Sequence, residues 1–137
     1  MKKLFFICCA IAAALSFVGC EKDELSGNYG RVMLNGVNIA GVWVNVEEPN
    51  NVTWYWTITE DHIEYYEANK AVSYENGYIY GGAEWTLEQH HKYELIGNML
   101  FVQGIKIAVL DVVDRNTVEM ESSWLVSGTC KRVKGFK

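Results

Sequence analysis

Proline is nearly missing from this chain: Pro49 is the only one in 137 residues. Little therefore interrupts a backbone ladder. Basic residues are also scarce, with Lys and Arg totalling 12 against 17 Asp and Glu. The densest basic cluster is Lys131-Arg132-Val133-Lys134, which argues against nucleic acid and anionic lipid headgroups as partners. Long apolar runs are limited to Leu4–Val18, so no later segment qualifies as a membrane-spanning helix. No nucleophile elbow, strand-to-helix glycine loop or H-E-x-x-H occurs, so the reading is non-enzymatic, with no cofactor.

What is present at the N-terminus is a secretory pattern. Lys2 and Lys3 precede the apolar run, and the small residue Gly19 precedes Cys20. Residues 1–19 read as a signal peptide. The motif F-V-G-C at Phe17–Cys20 resembles the lipobox of bacterial lipoproteins, in which cleavage leaves the cysteine first in the chain and acylated. The resemblance makes Cys20 the lipidation site, with palmitate-type acyl chains holding the protein at a membrane at about 0.8 kcal/mol per buried methylene. Removing Lys2 and Lys3 leaves 10 basic residues against 17 acidic ones, a net charge of −7. With Cys8 and Cys9 in the signal and Cys20 acylated, Cys130 stands alone, and no intramolecular disulfide is expected.

Lys22-Asp23-Glu24 resembles the lysine-plus-two-acids signal that carries lipoproteins to the outer surface in Bacteroides-type bacteria. The expected location is the outer membrane, lipid-anchored and cell-surface, with the periplasmic face as second choice. The letters K-D-E-L at Lys22–Leu25 are not a retention address, because that signal is read at a C-terminus.

From Gly41 onward, apolar and polar residues alternate with period two between turn residues. Strands are expected at Val42–Val46, Val52–Thr59, His62–Glu67, Ala71–Glu75 and Tyr78–Gly81. One long strand or a bent pair is expected over Glu84–Leu95, then strands at Met99–Gln103, Ile105–Val113, Thr117–Glu121 and Gly128–Val133. Asn76-Gly77 is the strongest hairpin signal, and Gly97-Asn98 and Asp114-Arg115-Asn116 mark further reversals. Residues 20–40 read as the lipidated cysteine and a flexible tether, with an optional hairpin over 32–39 around Asn35-Gly36. The fold class is all-β: an antiparallel up-and-down meander over 41–137, closing into a small barrel of about eight strands because closure removes unpaired edges.

Gly41-Val42-Trp43 resembles the G-x-W that opens the first strand of lipocalins, and Arg132 resembles the basic residue that packs over that tryptophan. The resemblance implies a small lipocalin-like barrel with one closed and one open end, and small apolar ligands as usual cargo. A streptavidin-like barrel or an open sandwich remains an alternative.

Glu88-Gln89-His90-His91 invites a metal reading, but adjacent strand residues face opposite ways, so His90 and His91 cannot share an ion. No metal site is assigned. In the same register Gln89, His91 and Tyr93 join Trp85, Leu87 and Leu95 on one face. Polar groups on an inward face either bond a neighbour or orient a ligand. Val52, Trp54, Trp56 and Ile58 share a second such face, where the tryptophans either fill the core or offer a stacking platform. Gln89, His91, Tyr93, Trp54, Trp56 and Trp85 are therefore the candidate ligand-binding residues. The functional expectation is a surface lipoprotein that binds a small hydrophobic or glycan-derived ligand. The alternative is a protein-interaction module, of inhibitor or immunity type, with a solid core.

Overall fold

Asn-Gly pairs and their relatives set the spacing of the strands. Asn76 and Gly77 have φ of 54° and 92°, and Gln103 and Gly104 have 53° and 78°, the doubly positive geometry of the tightest hairpins. Asn35-Gly36 reverses the chain in the same way. At Asp114 the side chain accepts a hydrogen bond from the Asn116 amide at 2.8 Å, a local turn bond that ends one strand and starts the next.

The computed structural model describes residues 29–124 and 127–137; Cys20, the signal and Lys22-Asp23-Glu24 lie outside the described residues. All regular structure among the described residues is β. The strands are β1 (Met33–Leu34), β2 (Val37–Asn38), β3 (Gly41–Asn45), β4 (Val52–Ile58), β5 (His62–Glu75), β6 (Tyr78–Tyr80) and β7 (Trp85–Lys92). They continue with β8 (Glu94–Ile96), β9 (Met99–Val102), β10 (Ile105–Asp114), β11 (Thr117–Ser122), β12 (Gly128–Val133) and β13 (Gly135–Phe136). β1 and β2 form a separate hairpin.

The main sheet is ordered β13-β6-β5-β4-β3-β12-β11-β10-β9-β8, with β7 also paired to β5. Every pairing is antiparallel except β13 on β6, which is parallel. A closed barrel of about eight strands is not found. Of the two forms expected over Glu84–Leu95, the structure has the pair, divided at Tyr93: β7 pairs with β5 and β8 with β9. No ladder runs unbroken through both halves, so the hydrogen-bonded path has ends. Conversely, the two strands expected over His62–Glu75 are one 14-residue strand. Its first part pairs with β7 and its last with β6.

Two apolar clusters lie on opposite faces of the sheet. The larger one gathers Trp43, Trp56, Ile58, Ile63, Leu100, Ile107, Leu110, Val118 and Cys130, with Val32, Leu34 and Ile39 from the N-terminal hairpin. Trp43 and Trp56 stack at 5.9 Å and 17°, and both are fully buried. The Arg132 guanidinium lies 4.6 Å from the Trp43 ring centre, the contact expected from the G-x-W resemblance. It donates to Ala40 O, Asn38 O and Arg115 O, while Trp43 Nε1 donates to Ile39 O at 2.9 Å. One end of the large cluster is thereby sealed. The smaller cluster, on the other face, consists of Val42, Val44, Val52, Val72, Ile79 and Val133. The end of β5, β6 and β13 pack over it, a second layer that the period-two pattern does not announce.

Two register shifts correct the expected faces. Opposite Thr53, β5 carries the extra residues 68–71 between Glu67 and Val72. Val52 therefore turns to the small cluster while Trp54 packs against the large one. In β7, Glu88 is an extra residue between the Tyr66↔Leu87 and Tyr65↔Gln89 pairs. A bulge of this kind exchanges the faces on either side of it. Trp85 joins the small cluster, and Leu87 is exposed. Gln89 and His91, beyond the bulge, share the face of Trp54 and Trp56.

Candidate functional site

The unsealed end of the large cluster is ringed by half-buried aromatic and polar side chains. The ladders place Trp54 and Trp56 of β4 beside Glu67 and Tyr65 of β5, and Tyr65 and Ile63 beside Gln89 and His91 of β7. Trp54 and Tyr65 meet with ring centres 5.7 Å apart. His91 Nε2 lies 3.2 Å from Gln89 Oε1, and its ring meets the edge of Trp124 at 5.0 Å. Trp124, in the turn after β11, is 39% exposed. Four elements thus contribute to one aromatic rim.

A notch of about 210 Å³ opens beside Trp54. Asn45, Glu47, Glu48, Asn51 and Thr53 line it together with Trp54 and Val52. Glu47 and Asn51 are placed by local bonds: the Glu47 amide donates to Asn45 Oδ1, and Asn51 Nδ2 donates to Glu48 Oε1. Burial, followed by the hydrogen bond to Glu67, pushes the Tyr65 phenol up to about 12. Tyr65 therefore stays a neutral donor at physiological pH, and its hydroxyl holds Glu67 at 3.1 Å. The rim offers flat apolar faces edged by carboxylates and amides, a combination suited to ring-shaped ligands with hydroxyl groups.

The six candidate residues separate into three groups. Trp54, Gln89 and His91 belong to the rim. Trp56 lies wholly in the core, where its Nε1 meets no N or O acceptor and acts only weakly on the Cys130 thiol. Burial pushes that thiol up to about 11, against the weaker opposing effect of the Trp56 N–H. Tyr93 packs against the large cluster, and its hydroxyl donates to Thr59 O at 2.5 Å. Trp85 lies on the opposite face, edge-on to Tyr55 at 4.7 Å and to Phe136 at 5.9 Å. Trp124 was missed as a candidate. Its signal is a lone indole in the polar turn Ser122-Ser123-Trp124, where no period-two pattern calls for an apolar side chain.

His90 points away from the rim. Its Nδ1 lies 2.5 Å from Glu64 Oε2, and its ring stacks on His62 at 4.3 Å. Tyr66 also donates to Glu64, at 2.7 Å. Burial raises the Glu64 carboxyl, but the hydrogen bonds from Tyr66 and His90 and the nearby histidine charges hold it below its ordinary value. Among the described residues no group of three or more metal-ligating side chains is gathered. No helix among them is long and apolar enough to cross a membrane. Compared with protein-family models, curated proteins and solved structures, the chain matches none.

Proposed function

We propose that this chain is a non-enzymatic, lipid-anchored outer-membrane lipoprotein, exposed at the cell surface, whose aromatic rim binds a small glycan-derived ligand. The observation that carries the reading is Trp54, half-buried against Tyr65 and bordered by the notch of Glu47, Asn51 and Thr53. The apolar C–H face of a pyranose stacks on an indole, while carboxylate and amide oxygens accept from its hydroxyls. A deeply enclosed apolar ligand fits less well, because Trp43, Trp56, Ile39, Ile58 and Leu100 fill the core with less than 2% exposure each.

The proposal includes a lipocalin-like barrel. Its support is the near-unbroken antiparallel order, with β12 beside β3, and the single residue Tyr93 that separates the strand pairing with β5 from the strand pairing with β9. The Arg132–Trp43 contact at the sealed end adds to it. A protein-interaction module is the second reading; the filled core and the exposed Trp124 favour it.

Titration of the full-length chain with a panel of mono- and oligosaccharides, followed by tryptophan emission, tests the ligand. Saturable change that Trp54→Ala abolishes is expected. No response to any sugar, with capture of a single partner protein that Trp124→Ala removes, would favour the second reading. Membrane fractionation of Cys20→Ala tests the anchor: the variant should move to the soluble fraction.

A further inference from the structure

Arg132 carries a charge that no carboxylate answers. Its bonds run to the neutral carbonyls of Asn38, Ala40 and Arg115. The His90–Glu64 ion pair lies on another face. A half-buried guanidinium ordinarily finds an acid, because desolvating a lone charge is costly. Here the burial of Arg132, and then the like charge of Arg115, lowers its pKa, and no acid acts in the opposite sense.

These two cations border a concavity of about 400 Å³, lined by Gly36, Val37, Asn38, Arg115, Asn116 and Arg132. None of the six is acidic. The nearby Asp114 is not in the lining, and its carboxylate is engaged by the Asn116 amide, the Thr117 hydroxyl and the Lys131 charge. At Gly36 a side chain would meet nothing within 4 Å, so the cleft is open there. Asn116, in the same lining, is uncharged. Arg132 is fixed by its carbonyl bonds and by the Trp43 ring beneath it, so its charge is held in place before any ligand arrives, which lowers the ordering cost of binding.

We propose that the cleft between Arg115 and Arg132 is an anion-binding site for a phosphate group, borne by a soluble small molecule or by a lipid headgroup. The exposed Arg115 guanidinium has a fork that matches phosphate oxygens in geometry as well as charge. Arg132, with four of its five N–H groups given to carbonyls, adds its held charge and one remaining Nη1–H. Room beyond a single phosphate leaves space for the group that carries it. The site is independent of the aromatic rim and lies at the sealed end, beside the N-terminal hairpin. It is also electropositive in a strongly acidic chain, which a net charge conceals.

The test is a titration of the full-length chain with inorganic phosphate at low ionic strength, read by amide chemical shifts at Gly36, Val37 and Asn116. Saturable shifts at these residues are expected. Arg115→Ala, an exposed side chain outside the core, should weaken binding about tenfold. Asn116→Asp, which puts a carboxylate into the cleft, should do the same. Lys106→Ala removes one positive charge elsewhere and should leave the affinity unchanged. Absence of saturable shifts, or equal weakening by Lys106→Ala, would overturn the site. Vesicles of phosphatidylglycerol and of phosphatidylcholine then assign the source. Displacement of phosphate by the former alone identifies a headgroup site, and retention of phosphate with both identifies a soluble ligand.

Discussion

Single side chains show how much of this molecule rests on unusual pairings. Arg132 gives hydrogen bonds to three carbonyls from two separate segments while covering Trp43. Arg132→Met keeps an apolar stem over the indole but strands those carbonyls. It should destabilise the fold by about 3 kcal/mol, seen as a lower urea midpoint with an unchanged slope. Glu64 makes a pH prediction. A carboxyl whose native value is depressed favours the folded state above the ordinary value of 4.5, and that contribution is lost as pH falls through the lower native value. Urea midpoints between pH 7 and pH 3 should fall more steeply for the wild type than for Glu64→Gln. Equal slopes would remove Glu64 from the acid response.

At the scale of elements, the bulge at Glu88 decides which side chains reach the rim. Deleting Glu88 leaves Leu87 and Gln89 adjacent opposite Tyr66 and Tyr65, a continuous register that still sends Trp85 to the small cluster and Gln89 with His91 to the rim. The deletion should therefore cost no more than about 1 kcal/mol in cooperative unfolding, read from the urea midpoint, and a loss of several times that would show that the bulge itself is required. Most strands were legible in the sequence because period two and the turn pairs are local signals. Asn76-Gly77, for example, needs only its own backbone to declare a hairpin. The bulges were not legible. Thr53 and Glu88 look like any other strand residues, and their shifts depend on what β5 packs against. That is why Val52, Trp85 and Leu87 were placed on the wrong faces, and why the rim kept only Trp54, Gln89 and His91 of six candidates. β13 was equally hidden, as its two residues become a strand only by docking on β6.

Across the whole molecule, the C-terminus closes the second layer. Phe136 meets Tyr55 at 5.4 Å, and the Lys137 amide donates to Ile79 O at 2.8 Å. Ending the chain at Lys134 should lower stability by about 3 kcal/mol, read from thermal unfolding, while the large cluster keeps its stacked tryptophans. The N-terminal hairpin has a different attachment. The backbone N–H of Arg31 donates to Glu60, and the carbonyls of Asn38 and Ala40 are gripped by Arg132. In mechanical terms, any tension pulled on the chain upstream of Tyr29 enters through this hairpin and passes into the sheet at the Arg132 grip. The residue that seals the core is also the rivet that must slip before the sheet can be drawn open.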